Sequence, residues 1–406
     1  MATNPPVDRR KFLRAGVAAG AMALPGSIAS ASPADALRVA VIGCGGRAQA
    51  HLHLMSRFAK DGTTKVVGVC DVWDGHEDEY EQIYEGSIAR RRYAQGLFPS
   101  AVKAGLNPSD RAAVVKDYRR LLDRKDVDAV VIATPDHWHA RMILDAVAAG
   151  KDVLVEPPLT RTSPEALAVQ TAVQGSDRVV MLAEPSLTDP VVGEAGKQLR
   201  AGRIGALVQL QASVNRSDPR GYWRFYRIVP GMNPRTIDWS MFLGPELPAL
   251  PFDPATFAQW RCDARFSAGP MSDLFTKPIL RLLTAAGLAM PRQVTASGGL
   301  YHETDGRTVP DVCTLVAEFD SAQLLVTGST VMSRPSTESL RGRAGAMELE
   351  RGRVRFSDES IVVEPRRNET ETMWLQFLAS VRGRNQDNEA LQVAAAAAVL
   401  TATPVN

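Results

Sequence analysis

The sequence predicts an α/β protein in which a doubly wound parallel sheet is followed by a second, sheet-based domain. Three observations carry that prediction. Short apolar runs alternate with helical patterns over residues 37–155, the layout of parallel strands joined by crossover helices. A glycine cluster closes the first run and opens a helix. After Pro157-Pro158 the texture changes to longer strands separated by Pro- and Gly-rich connections. A chain of 406 residues has room for two or three domains, and 45% hydrophobic with 23% charged residues excludes wholesale disorder and a coiled-coil rod. With 47 Lys+Arg against 45 Asp+Glu, no positive excess exists to coat a nucleic acid.

Residues 1–31 come first. Asp8-Arg9-Arg10-Lys11-Phe12-Leu13-Arg14 precedes an Ala/Gly-rich run from Ala15 to Leu24, and Ala29-Ser30-Ala31 offers a small-residue cleavage site. That order describes a secretory signal whose apolar run is too short to span a bilayer. The paired arginines resemble a twin-arginine signal, with Asp8 where Ser or Thr is commoner. Its removal leaves 43 basic and 44 acidic residues. The expectation is a nearly neutral protein, exported folded to the periplasm or beyond, with no stable membrane anchor.

Residues 32–158 read as the parallel-sheet domain. Leu37 to Ile42 is a buried parallel strand, 47–59 a helix and Lys65 to Cys70 a second strand. Asp128 to Ala133 and Asp152 to Val155 are two more strands, with the helical pattern of His139 to Ala149 between them. The polar Arg/Glu/Tyr-rich stretch from Gly75 to Pro108 reads as an inserted helical excursion. Residues 159–406 read as the second domain, with strands at Val208 to Val214, Val294 to Gly298, Thr314 to Phe319 and Leu324 to Ser329 and a helical tail from Trp374 to Leu400. Cys44, Cys70, Cys262 and Cys313 lack any C-x-x-C or histidine spacing, so neither a metal site nor a disulfide scaffold is expected.

Gly43-Cys44-Gly45-Gly46-Arg47-Ala48 fits G-x-G-x-x-[G/A] between a strand and a helix. The first glycine permits the tight turn, the second lets backbone approach a pyrophosphate, and Ala48 permits close helix packing. The helix N-terminus then offers free N–H groups to the phosphates. Asp71, 26 residues after Gly45, closes the second strand and would accept from ribose hydroxyls, favouring NAD, with NADP as the second option. Thr134-Pro135-Asp136-His137-Trp138-His139 sits at the carboxyl edge of the sheet, where ligands bind. Asp136 can cap a helix starting at His137, and two histidines spaced i, i+2 do not converge on a metal.

These stretches, with Gly202-Arg-Ile-Gly205, Ile237-Asp-Trp239, Leu243-Gly-Pro245 and Ser272-Asp-Leu-Phe275, resemble the Gfo/Idh/MocA family, in particular its secreted branch. The resemblance implies an N-terminal Rossmann domain and a C-terminal α/β domain with a mostly antiparallel open sheet, through whose face relatives often pair as homo-oligomers. It also implies NAD(P)-linked oxidation or reduction of a sugar or polyol. The family's Glu-Lys-Pro, whose lysine contacts the nicotinamide ribose and substrate, is here Glu156-Pro157-Pro158, and proline has neither ammonium nor N–H. Relatives place a histidine four residues after the aspartate of S/T-D-L-F; here Asp273 is kept and the histidine position is Lys277.

Asp263 to Gly269 also departs from the family's aromatic and acidic segment, while Trp223, Trp239 and Trp260 remain as packed aromatics or sugar-stacking faces. The catalytic set is therefore read as Asp273, Lys277 and Glu156. A lysine acts as base only where its surroundings strip its proton, and a nearby Asp273 pushes the other way. Pro278 disfavours helical geometry at Lys277, so a helix is expected to start at Pro278. Three functions follow: a sugar or polyol oxidoreductase, a catalytically impaired dinucleotide- or sugar-binding protein, or a redox-assisted glycoside hydrolase.

Overall fold

The computed structural model describes residues 36–84, 87–366 and 368–404. The segment 1–31 read as an export signal lies outside the described residues. In chain order the elements are β1 (Leu37–Ile42), α1 (Gly46–Phe58), β2 (Thr64–Cys70), β3 (His76–Tyr84), β4 (Ser87–Gln95), α2 (Leu97–Lys103), β5 (Val114–Val115), α3 (Arg119–Leu122), β6 (Ala129–Ile132), α4 (Asp136–Ala148), β7 (Asp152–Val155), α5 (Ser163–Gln174) and β8 (Val180–Leu182). They continue with α6 (Pro190–Arg200), β9 (Leu207–Asn215), α7 (Trp239–Leu243), α8 (Pro254–Ala258), α9 (Thr276–Ala286), β10 (Gln293–Gly299), β11 (Val312–Glu318) and β12 (Gln323–Ser329). The last are β13 (Thr337–Gly342), β14 (Gly345–Glu350), β15 (Arg353–Arg355), β16 (Ser360–Val362), α10 (Glu369–Gly383) and α11 (Asn388–Thr401).

The first sheet runs β5-β2-β1-β6-β7-β8 with every pair parallel. Its central strands β1, β6 and β7 are buried almost throughout, which is why they read as continuous apolar runs rather than alternating ones. The chain leaves β1 toward β2 on one side and returns through β6 on the other, so the carboxyl ends of β1 and β6 flank the crevice where such sheets take ligands. The sheet takes a sixth strand from Val180–Leu182, past the Pro157-Pro158 boundary read from the sequence.

The second sheet has eight strands, β10-β11-β12-β9-β13-β14-β15-β16, antiparallel except where β12 meets β9. Along β11 and β12 buried and half-buried residues alternate, the mark of a sheet packed on one face. α9 supplies Ile279, Leu280, Leu282 and Leu283 to the core behind that face.

Two expectations fail here. Residues 75–108 hold no helical excursion but the antiparallel hairpin β3–β4 and then the short α2. The acidic strand lies against the basic one, with Glu79 opposite Arg92 and Glu81 opposite Arg90, so cross-strand charge pairing governs a stretch whose polarity suggested a solvated helix. The second concerns Pro278: a π-helical turn over Met271–Phe275 already carries the chain, and α9 begins at Thr276. Pro278 is the third residue of α9, in the first turn, where a backbone N–H has no carbonyl partner within that helix to lose.

Candidate functional site

A cavity of about 320 Å³ opens at the carboxyl ends of β1, β2, β6 and β7 and is closed on its far side by segments of the second domain. Gly43 makes the turn after β1 at φ +84°, and a Cβ there would lie 2.7 Å from the carbonyl of Ala133. Only glycine fits this turn. A Cβ on Gly45 would meet nothing within 4 Å, so its backbone faces open space at the N-terminus of α1, a helix with no side-chain cap. These are the features a pyrophosphate requires: close backbone approach and unpaired N–H groups. The residues present fit a dinucleotide.

Asp71 lines the same cavity and accepts from the backbone N–H of Cys44 (2.6 Å) and of Trp73 (2.8 Å). Burial, opposed by those two donors, raises its carboxyl to about 6. Gly46, Arg47, Thr134, Pro135, Trp138 and Glu156 also reach the cavity. Ala48 does not: it is fully buried on the inner face of α1, the packing role expected of it. Asp136 is not a helix cap. It opens α4 with its carboxylate buried, accepting from the hydroxyls of Ser267 (2.9 Å) and Ser272 (3.0 Å), and burial pushes its carboxyl up.

His137 turns away, its Nε2 2.9 Å from the Phe242 carbonyl, and burial lowers it to about 4, so the ring stays neutral near pH 7. His139 sits with Nδ1 2.6 Å from the Pro158 carbonyl and Nε2 2.9 Å from that of Thr134, bridging the chain ends that follow β6 and β7.

Glu156 is the centre of a connected group that the sequence did not reveal. Arg47 donates to it twice, from Nε at 2.8 Å and from Nη2 at 3.1 Å. His51 Nε2 lies 2.7 Å from Oε1, the oxygen that also accepts from Arg47 Nη2, and Trp374 Nε1 donates to His51 Nδ1 at 3.0 Å. An indole N–H only donates, so His51 Nδ1 is the accepting nitrogen and Nε2–H points at the carboxylate. Burial opposes ionisation of Glu156, but the His51 and Arg47 donors outweigh it and hold the group at about 2. Glu156 is therefore a fixed anion that orients Arg47, not a proton carrier. His51 and Trp374 stand 323 residues apart, and no local pattern joins them.

Of the other two residues read as catalytic, neither Asp273 nor Lys277 lines the cavity. Asp273 accepts from Trp223 Nε1 at 2.8 Å and meets Arg261 Nε at 3.3 Å. It touches the cavity only through Arg261, which does line it, between Trp260 (4.1 Å from guanidinium carbon to ring centroid) and Tyr226 (5.6 Å). Lys277 lies on the exposed side one turn further along. Of the three tryptophans read as packed or sugar-stacking, Trp223 is buried and Trp239 stacks on Phe242, while Trp260 reaches the cavity. Arg261 was missed because a lone cation beside a tryptophan carries no motif. Among the described residues no group of three or more His, Cys, Asp or Glu could hold a metal ion, and no helix is long and apolar enough to cross a membrane.

Residues 37–184 match the model of the Gfo/Idh/MocA group, described as an oxidoreductase family with an NAD-binding Rossmann fold. A levoglucosan dehydrogenase of Pseudarthrobacter phenanthrenivorans is 32% identical over 145 residues, 33% of this chain and 37% of that protein. An inositol 2-dehydrogenase of Saccharopolyspora erythraea is 27% identical over 245 residues, 60% of this chain and 66% of that protein. The chain thus spans between about a third and two thirds of these relatives' lengths. In fold it is similar to a solved levoglucosan dehydrogenase in complex with NADH, with a TM-score of 0.61 and 18% identity, covering 90% of this chain and 95% of that one.

Proposed function

We propose, from the match of residues 37–184 to the Gfo/Idh/MocA oxidoreductase family, that the chain binds a nicotinamide dinucleotide and transfers a hydride between it and a carbinol or ketone carbon of a sugar or polyol. The observation that carries this reading is the single cavity that runs from the Gly43–Gly46 turn past Glu156 and Pro157 to Trp260 and Arg261. Cofactor and substrate would share one continuous cavity. When bound, the nicotinamide supplies the hydride donor or acceptor. The chain's own part is to bind and align. The α1 N-terminus and Gly45 take the pyrophosphate, Asp71 accepts from the adenosine ribose, and Glu156 fixes Arg47 over the same region.

A second reading is favoured by one observation. The acid/base candidates Asp273 and Lys277 lie off the cavity, and Pro157 stands where the resemblance implies a lysine. A protein that binds dinucleotide and sugar without turnover fits that arrangement. Purified protein titrated with NAD and NADP and then given a panel of sugars and polyols separates the two. A change in nicotinamide absorbance with any member supports the oxidoreductase. Cofactor binding with no change across the panel supports the binding protein, and no cofactor binding ends both.

We further propose that residues 1–31 direct twin-arginine export to the periplasm. A reporter fused to them should remain inside cells lacking that pathway, and continued export there would overturn the assignment. The half-buried face of the second sheet is the proposed surface for a homo-oligomer.

A further inference from the structure

We propose that the substrate is an acidic sugar, and that Arg261 is the residue that binds its carboxylate. The inference rests on the reading that this cavity takes a carbohydrate, and it names the class. Most cations lining the cavity are already matched. Arg47 is held by two bonds from Glu156, Arg227 by two bonds of 2.8 Å to Asp78, and Lys116 by Asp74 at 2.8 Å. Arg119 meets Asp117 at 3.2 Å, but its side chain is 52% exposed and hydrated.

Arg261 differs from all of these. Its side chain is 20% exposed, its one acidic contact is the 3.3 Å approach of Nε to Asp273, and the other oxygen of Asp273 is taken by Trp223. Among the described residues neither Nη nitrogen has a hydrogen-bond partner, and neither is sealed inside the protein. The outer edge of the fork is therefore open where Arg261 lines the cavity, with the guanidinium carbon 4.1 Å from the Trp260 ring centroid.

A guanidinium withdrawn from water and left half-paired is costly, whereas a carboxylate meets its two outer N–H groups in the bidentate geometry both prefer. Neutral hydroxyls accept hydrogen bonds but do not neutralise the charge. Pro157, which lines the same cavity, offers no cation to compete for that anion. Trp260 and Tyr226 hold the guanidinium in place before the ligand arrives, so little side-chain freedom is lost on binding.

The test uses full-length protein loaded with nicotinamide dinucleotide, with glucuronate and gluconate as acidic probes and glucose and sorbitol as neutral ones. Affinity is read by calorimetry and turnover by nicotinamide absorbance. The acids should bind about tenfold or more tighter than their neutral counterparts. Arg261→Met should weaken the acids by about tenfold to a hundredfold, at least tenfold more than it weakens the neutral probes, while the dinucleotide, bound at the far end of the cavity, keeps its affinity. Should that variant fail to fold, Arg261→Lys keeps the charge and stem but loses the fork, and it should still weaken the acids selectively.

Equal or tighter binding of the neutral probes by the wild type overturns the proposal. So does a loss of dinucleotide affinity in either variant, which would assign Arg261 to the cofactor. Selective acid binding without any absorbance change keeps the carboxylate site and removes the hydride-transfer reading. Turnover of neutral probes alone does the reverse.

Discussion

Glu156 holds its charge because three donors converge on it, and their removal has a calculable consequence. A buried carboxylate that accepts from Arg47 and His51 contributes more than a surface pair, since each charged hydrogen bond is worth about 1.5–3 kcal/mol while exposed pairs are worth less than about 1. Glu156→Gln should therefore destabilise the protein by about 1–3 kcal/mol, read from urea midpoints. The sign with pH is fixed by the lowered carboxyl. Its contribution is full above the ordinary value of 4.5 and is lost as pH falls toward about 2, so wild type and variant should converge in acid. Asp71 behaves oppositely. With its carboxyl raised from 3.8 to about 6, ionisation costs the folded state stability as pH rises through that window. The ionised form is also the one that accepts from a ribose. NAD affinity should rise between pH 5 and 7, and Asp71→Asn should flatten that rise and weaken binding about tenfold in a fluorescence titration.

Among the elements, the hairpin β3–β4 shows what tertiary context adds. The residues His76 to Glu81 and Ala89 to Gln95 are rich in charge and contain no apolar alternation, so period alone gives no strand. What selects the hairpin is the pairing of its acidic and basic halves and a tie to the second domain, where Arg227 bonds Asp78 and lies 4.1 Å over Tyr80 and 5.1 Å over Tyr93. Such pairing needs two segments at once and is invisible to a window on one. The central strands, in contrast, were legible because burial on both faces writes a continuous apolar run. The glycine turn was legible because a positive φ leaves few residue choices. Arg227→Ala should cost about 1 kcal/mol or less of global stability, because the pair is partly exposed. Limited proteolysis should nonetheless cut β3–β4 faster in the variant, since the hairpin loses its anchor while the core keeps its own.

At the scale of the whole molecule, α10 makes the two sheets interdependent. Met373, Trp374, Phe377, Leu378 and Val381 are all at most 3% exposed and pack with β1 and α1 into the core of the first sheet, although the helix follows the entire second sheet in the chain. No sequence pattern announces this return. The five side chains make one apolar stripe, and a stripe does not say which core it fills. Its size decides the consequence. At about 1.5–3 kcal/mol for each fully buried side chain, α10 contributes on the order of 10 kcal/mol, comparable to the entire stability of an ordinary domain. The matched segment 37–184, which ends before α10, should therefore not fold alone. The full chain should melt in one calorimetric transition, and added NAD should move that transition as a whole. Trp374→Phe tests the coupling at one atom. It keeps most of the buried ring but leaves His51 Nδ1 without its donor, so it should lower stability by about 1–3 kcal/mol and weaken NAD binding through the loosened Glu156–Arg47 pair. Two separate melting transitions in the wild type, or an unchanged NAD affinity in Trp374→Phe, would show that α10 is only packed against the nucleotide domain and does not help to form its site.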